Sequence, residues 1–218
     1  MQSLIISGGS LDMEFALSYI RKYSFHITVA ADRGMDFFYE HKMVPDYIVG
    51  DFDSADPEVL QNFRNLNEEQ RPEIIQFKPE KDETDTELAI RIAIQHGCDD
   101  IHLLGAMGSR VDHMLGNLHL LGAAMKQGVA CRMVDKNNRI RMTCQGMSLR
   151  RQEQYGTYVS LLPFTPLVKG LTLTGFKYPL KDYTLECYHS LGVSNEIIAE
   201  EAEISFREGV LLVVESKD

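Results

Sequence analysis

Short apolar runs alternate with segments of helical periodicity along roughly the first 135 residues of the chain. The apolar runs predict strands, and the periodic segments between them predict helices. This alternation favours an α/β fold, with a mostly parallel sheet and helices on both of its faces. The strands are predicted at residues 3–7, 27–31, 47–49, 74–77, 101–104 and 129–134, with five helices between them.

The pattern changes after about residue 140, where β-branched and aromatic residues dominate and Gly and Pro recur closely. Strands are predicted at residues 139–143, 157–162, 171–173 and 184–187 and within 196–215, and no segment favours a helix. This composition predicts a small, sandwich-like antiparallel β domain. The predicted division is an α/β domain at 1–137 and a β domain at 138–218.

The chain of 218 residues carries a net charge of -10, which argues against nucleic acid as a partner. It does not argue against a nucleotide, because a bound metal reverses the local sign of the charge. No apolar run approaches the ~20 residues of a membrane helix, and no signal-peptide pattern is present. The four cysteines lack CxxC spacing, which favours reduced thiols in a cytoplasmic protein.

Acidic residues follow the ends of predicted strands, where ligands bind in sheets of this kind. Asp32 follows the second strand, and Asp51 and Asp53 follow the third. On a continuing strand, Asp51 and Asp53 would face the same way and repel each other unless a cation lay between them. Mg²⁺ accepts such oxygens. The alternative interpretation is a solvated acidic turn.

A second acidic pair, Asp82 and Asp85, flanks the predicted start of a helix. Thr84 and Glu87 have the spacing of a capping box, which places the start of that helix. Either acid could serve only to stabilise the helix N-terminus. Together with the earlier pair, however, these carboxylates are candidates for holding Mg²⁺, directly or through water.

A Gly-rich turn at residues 105–110 ends in Arg110, whose guanidinium could hold phosphate oxygens in two-point contact. Asp112 opens the next predicted helix, on which His113 and Asn117 share a face. A structural arginine and a capped or core histidine are the alternatives. Because Walker, dinucleotide-binding and protein-kinase signatures are absent from the sequence, any phosphate chemistry must depend on metal held by carboxylates.

These motifs, in this order, resemble those of the thiamine pyrophosphokinase family. The resemblance spans nearly the whole chain. The matching segments are residues 31–34, 45–46 with 50–54, 81–82 with 84–85, 105–113 with Asn117, 160–164, 175–180 and 190–196.

The resemblance implies an ATP-binding N-terminal domain, a C-terminal domain that contacts thiamine, and a homodimer with thiamine bound between subunits. The implied reaction transfers pyrophosphate from ATP to the hydroxyl of thiamine, giving thiamine diphosphate and AMP. Arg33 and Ser109 stand where relatives often have Gly, and the chain has no Trp. The residues assigned on this basis are Asp51, Asp53, Asp82 and Asp85 for Mg²⁺ and catalysis, Arg110 for the transferred group, Asp32, Arg33, Asp112, His113 and Asn117 for the nucleotide, and Ser194 and Asn195 for thiamine.

Two other functions fit the same residues. One is a metal-dependent phosphohydrolase in which Asp51 is the nucleophile. The other is a non-catalytic nucleotide sensor whose acids only bind metal-ATP.

Overall fold

The computed structural model describes residues 1–78 and 82–218, and Lys81 of the motif at 81–82 lies outside the described residues. The chain forms two compact units, Met1–Lys136 and Asn137–Asp218. The strands and helices of the first unit are β1 (Gln2–Ile6), α1 (Met13–Ile20), β2 (Ile27–Ala31), α2 (Gly34–Glu40), β3 (Tyr47–Gly50), α3 (Pro57–Arg64), β4 (Glu73–Gln76), α4 (Asp85–Gln95), β5 (Asp100–Leu104), α5 (Val111–Lys126) and β6 (Ala130–Val134).

The strands of the first unit lie in the order β4-β3-β2-β1-β5-β6, and their pairs are parallel. Leu4, Ile5 and Ile6 of the central strand are each 0% exposed. Because successive side chains of a strand point to opposite faces, both faces of the sheet are covered there. The predicted α/β architecture is therefore confirmed.

The predicted helix starts are also confirmed at the level of hydrogen bonds. The Asp56 carboxylate accepts a bond of 2.8 Å from the Glu58 N–H, with Pro57 at the first helical position. The Thr84 hydroxyl accepts a bond of 3.2 Å from the Glu87 N–H at the start of α4. These side chains satisfy donors that a helix N-terminus leaves unpaired.

The buried faces of two helices differ from the prediction. Burial was expected for Met114, Leu118, Leu121 and Met125 of α5, but the buried residues of α5 are Leu121 and Ala124. On α1 the buried residues are Ala16 and Tyr19, whereas Met13, Leu17 and Ile20 were expected to mark the apolar face. Apolar residues occupy more than one face of each helix, so periodicity identified the helices without fixing the side that meets the sheet.

The second unit contains β7 (Asn138–Thr143), β8 (Met147–Arg150), β9 (Tyr158–Pro163), β10 (Leu167–Thr174), β11 (Leu180–Glu186), β12 (Glu201–Ser205) and β13 (Leu211–Ser216). β13 pairs antiparallel with β7 and β9, and the other strands form a sheet in the order β11-β10-β12-β8. Side chains of both sheets, among them Leu161, Leu171 and Val213, form one buried core. The predicted antiparallel β domain is confirmed, although β8 was not predicted.

Glu215 lies in this unit with its side chain 0% exposed. Its carboxylate accepts bonds of 2.7 and 2.6 Å from Arg139, a bond of 2.6 Å from Arg141 and one of 3.1 Å from the Tyr155 N–H. Burial alone would raise the pKa of Glu215, but the hydrogen bonds from Arg139 and the charges of both arginines hold it below its usual range. The buried charge is thus paired, as burial requires.

Candidate active site

A cleft of about 980 Å³ lies at the carboxyl ends of the parallel strands in the first unit. It receives residues from the ends of β1, β2, β3 and β5 and from the first turns of α4 and α5. This is the place where open parallel sheets bind ligands. Of the predicted site residues, the cleft is lined by Asp32, Arg33, Asp51, Asp85, Arg110, Asp112, His113 and Asn117.

Three carboxylates form an acidic cluster in the cleft, composed of Asp32, Asp51 and Asp85. One oxygen from each lies within 4.8 Å of the others. Like charges this close repel one another, and a cation between them reverses that effect. The acidic cluster therefore has the composition and spacing of a metal site.

Asp32 gives the most specific indication of a metal. Its Oδ2 accepts a bond of 2.7 Å from the Ser54 hydroxyl, whereas its Oδ1 is buried and has no hydrogen-bond partner among the described residues. A buried carboxylate oxygen without a partner carries a large desolvation cost. A divalent cation that binds oxygen ligands, such as Mg²⁺, would compensate that cost, so the residues fit the metal.

Asp32 is held at the end of β2 in a left-handed backbone conformation, which is uncommon for a residue other than glycine. Asp32 has a φ of 49°, and its N–H donates a bond of 2.8 Å to the Val49 carbonyl of β3. A left-handed non-glycine residue costs about 1–2 kcal/mol. Two residues later, a Cβ on Gly34 would lie 1.8 Å from the Ile6 carbonyl oxygen, so only glycine lets α2 begin this close to β1.

Asp53 and Asp82 are placed differently from the other predicted metal ligands. The strand does not continue through Asp51 and Asp53, because β3 ends at Gly50 and Phe52 has a φ of 63°. The condition on which both carboxylates were expected to face one way, a continuing strand, is therefore not met. Asp53 is exposed and its N–H donates a bond of 3.1 Å to Asp51 Oδ1, and Asp82 is exposed as well. Neither belongs to the acidic cluster found among the described residues.

Several cleft residues were not among the site residues assigned from the sequence. The hydroxyls of Ser7 and Thr86 lie 3.0 Å apart and connect the end of β1 to α4. The Gly9 N–H donates a bond of 2.8 Å to the Gly105 carbonyl, and a Cβ on Gly9 would lie 2.4 Å from that oxygen. The loops after β1 and β5 therefore touch through glycine. A signal was available in the sequence for Gly9, since a glycine turn follows the first strand.

Arg110 and Asp112 form an ion pair at the start of α5. Two bonds of 3.2 and 2.6 Å join the guanidinium to the carboxylate, and the side chains are 68% and 66% exposed. The hydrogen bonds from Arg110 lower the pKa of Asp112 to about 2. Exposed ion pairs of this kind contribute little to stability. Arg110 can therefore exchange Asp112 for phosphate oxygens at small cost.

Two further predicted nucleotide residues line the cleft in defined positions. Asn117 Nδ2 donates a bond of 2.7 Å to the Ala106 carbonyl, which fastens α5 to the turn after β5. The Arg33 side chain is 58% exposed, with its Nε 3.7 Å from Asp36 Oδ2. The cleft thus combines two guanidinium groups with the acidic cluster, a combination complementary to a metal-bound polyphosphate.

The predicted thiamine residues lie in the second unit. Ser194 is exposed and has a φ of 58°. Asn195 is 4% exposed, and its amide is hydrogen-bonded to the backbone.

The chain has an α/β unit followed by an antiparallel β unit. The cleft of the α/β unit carries carboxylates and arginines, so the protein is of a two-domain class with a cleft suited to a metal-bound nucleotide. The sequence matches the family described as thiamin pyrophosphokinase, catalytic domain, over residues 17–133, and that described as thiamin pyrophosphokinase, vitamin B1 binding domain, over residues 147–211. The chain belongs to the thiamine pyrophosphokinase family, which confirms both the resemblance and the predicted enzyme class.

Individual relatives agree with this assignment. The chain is 34% identical over 190 residues to thiamine pyrophosphokinase from Bacillus subtilis (strain 168), covering 87% of each chain. The crystal structure of thiamine pyrophosphokinase from Bacillus subtilis superposes with a TM-score of 0.88 at 30% identity, covering 100% of both chains. That of the enzyme from Geobacillus thermodenitrificans gives 0.85 at 31% identity, covering 100% of this chain and 98% of the other.

No helix within the described residues has the length and apolar character needed to cross a membrane.

Proposed function

We propose that this protein transfers the pyrophosphoryl group of ATP to the hydroxyl of thiamine, with thiamine diphosphate and AMP as products. The observation that carries the proposal is the acidic cluster beside Arg33 and Arg110 in the cleft of the first unit. Membership of the thiamine pyrophosphokinase family supports the choice of acceptor. The cytoplasmic location expected from the sequence belongs to the same proposal.

Asp32, Asp51 and Asp85 would hold Mg²⁺ through their carboxylate oxygens, with Asp53 and Asp82 acting through water. When bound, Mg²⁺ would neutralise negative charge on the phosphate oxygens and so favour attack by a nucleophile on the phosphorus. The sequence assigned Asp32 to the nucleotide rather than to the metal. Its buried, unpartnered Oδ1 supports the additional role.

Arg110 would leave Asp112 and bind the transferred phosphates, while Arg33 supplies a second cation along the cleft. The thiamine hydroxyl oxygen attacks the β-phosphorus, and the bond from that phosphorus to the oxygen of the α-phosphate breaks. AMP leaves and the hydroxyl proton is released. Positioning and charge neutralisation by these residues would provide most of the rate. Asp112, His113 and Asn117 would shape the nucleotide pocket.

The second unit would supply the thiamine contacts, with Ser194 among them, in agreement with the family match at residues 147–211. The proposal includes a homodimer with thiamine bound between subunits. Exposed apolar residues on α5 support a subunit interface: Val111 is 58% exposed and Leu115 is 50% exposed. Large apolar side chains that share one exposed helix face favour protein contacts.

One experiment tests the proposal and separates it from its rivals. Purified protein is incubated with Mg-ATP, with and without thiamine, and the nucleotide products are resolved by chromatography. AMP formed only with thiamine supports the proposal. Phosphate release without thiamine, together with a trapped phosphate on Asp51, would favour a phosphohydrolase. Saturable ATP binding with no turnover would favour a nucleotide sensor.

A further inference from the structure

The side-chain amide of Asn195 is almost fully used in hydrogen bonds to backbone groups of its own unit. Its Oδ1 accepts a bond of 3.0 Å from the Tyr178 N–H and one of 2.9 Å from the Glu196 N–H, and its Nδ2 donates a bond of 2.8 Å to the Tyr178 carbonyl. Two N–H donors on one side and a carbonyl acceptor on the other fix the orientation of the amide. Both lone pairs of the oxygen are used, on a residue that is only 4% exposed.

The backbone of Asn195 is bound on the opposite side. Its N–H donates a bond of 3.0 Å to the Val159 carbonyl, and its carbonyl accepts one of 2.8 Å from the Val159 N–H. Asn195 therefore joins β9 to the segment that carries Tyr178. A further bond of 2.9 Å from the Lys177 N–H to the Glu196 carbonyl, and an ion pair of 2.6 Å between their side chains, extend this connection.

Two exposed residues depend on this connection for their positions. Tyr178 is 60% exposed, yet both polar groups of its backbone are held by the single amide of Asn195. Ser194 is exposed in a left-handed conformation with a φ of 58°, and its N–H donates a bond of 2.9 Å to the Ser160 hydroxyl. Such a conformation persists only where the surroundings fix it, and it occurs preferentially at functional sites.

We infer that Asn195 is a positioning residue for thiamine recognition: it holds Ser194 and Tyr178 in place and does not itself contact the vitamin. This inference rests on the proposed function. It differs from the assignment made from the sequence, in which Asn195 was a thiamine contact. The amide oxygen is already occupied by two backbone donors, and the amide nitrogen donates to the Tyr178 carbonyl.

The test compares Asn195→Ala with Thr165→Val in steady-state kinetics. Thr165 is a matched control, because its hydroxyl also fastens a loop of the second unit, accepting a bond of 3.0 Å from the Val210 N–H and donating one of 2.9 Å to the Leu167 carbonyl. Asn195→Ala is expected to raise the KM for thiamine about tenfold or more, which corresponds to about 1.4 kcal/mol. The KM for ATP should change by less than about twofold, and Thr165→Val should leave the KM for thiamine unchanged.

Amide hydrogen exchange shows whether Asn195→Ala changes thiamine binding by loosening the backbone of Tyr178 and Glu196. In Asn195→Ala the amides of Tyr178 and Glu196 should exchange faster. A loss of thiamine binding with unchanged exchange at both amides would mean that Asn195 contacts thiamine directly, which overturns the inference. An equal rise of the KM for thiamine in Thr165→Val, or no rise in Asn195→Ala, overturns it as well.

A second variant covers the case in which Asn195→Ala does not fold. Asn195→Asp keeps the acceptor oxygens but, when ionised, cannot donate to the Tyr178 carbonyl. The two backbone N–H groups that donate to this side chain favour the ionised carboxylate, so the donated bond should be lost at pH 8. The KM for thiamine at pH 8 should therefore rise relative to wild type. An unchanged KM contradicts the role of the donated bond.

Wild-type turnover separates this inference from the proposed function. If wild-type protein neither binds nor uses thiamine, the proposed function fails, and the inferred role of Asn195 in thiamine recognition fails with it. If wild type uses thiamine, the KM ratios and the exchange rates decide the role of Asn195 alone.

Discussion

The acidic cluster predicts that Asp32→Asn makes the metal-free protein more stable. Asp32 repels both Asp51 and Asp85, with ligand oxygens no more than 4.8 Å apart. At that distance one pair of unit charges repels by about 0.9 kcal/mol in water and about 3.5 kcal/mol at an effective dielectric of ~20. Because the cluster is only partly buried, we expect a net gain near the lower end, about 1–2 kcal/mol, which corresponds to a rise in Tm of about 2–8 °C for a chain of this size.

The same substitution should abolish the response to metal. Thermal unfolding of wild type and Asp32→Asn is followed in EDTA and in excess Mg²⁺. Wild type should gain stability from Mg²⁺, since a ligand that binds only the folded state stabilises it, whereas the variant should gain little. Asp53→Asn is the control, because Asp53 is exposed and outside the acidic cluster, and its metal-free Tm should change little. A metal-free Asp32→Asn protein less stable than wild type, with an undiminished Mg²⁺ shift, refutes the reasoning.

Further predictions concern turnover, assembly and pH. Asp85→Asn should lower kcat by about 10²-fold or more, because it removes one oxygen ligand from the metal site; near-normal rates at limiting Mg²⁺ would contradict this. Leu115→Glu should convert a dimer into monomers, since Leu115 is 50% exposed on α5. Light scattering measures this as a halved molar mass, and an unchanged molar mass would exclude that face from the interface. Because its arginine partners lower the pKa of Glu215, its stabilising effect is present above pH ~4.3 and lost as pH falls through the lowered value. Glu215→Gln should therefore lower the free energy of unfolding at pH 7 by about 3–5 kcal/mol. The urea midpoint of the variant should fall less steeply than that of wild type below pH ~4.3; the same pH dependence in both proteins would refute this.

Much of the fold could be predicted because local signals and tertiary structure agree. The apolar runs that became β1, β2, β3, β5 and β6 have adjacent buried residues and so are covered on both faces, which is why their composition marks them as strands of a parallel sheet. The edge strand β4 has no buried residue and was recognised only by its short apolar run. Asp56 and Thr84 could be placed as helix caps because capping depends on residues only two or three positions apart. The convergence of acids at strand ends follows from the same topology.

The remaining features depend on contacts between distant residues. The spacing of Asp51 and Asp53 indicated a pair on one strand, but the left-handed Phe52 redirects the chain after Gly50. Asp32 joins the acidic cluster through the register between β2 and β3, which composition does not encode. Asn195 has the residue type of a ligand contact, and only its bonds to Tyr178 and Glu196 indicate a positioning role.

A time course with ATP labelled in the β-phosphate tests the central claim most directly. The protein is incubated with Mg-ATP and thiamine, and labelled products are resolved at early times. Label should arrive in thiamine diphosphate, with AMP formed one-for-one and only when thiamine is present. Free thiamine should serve as acceptor, and thiamine monophosphate should not, because its oxygen is already esterified. ADP as the first nucleotide product, or label released as free phosphate without thiamine, would contradict the account.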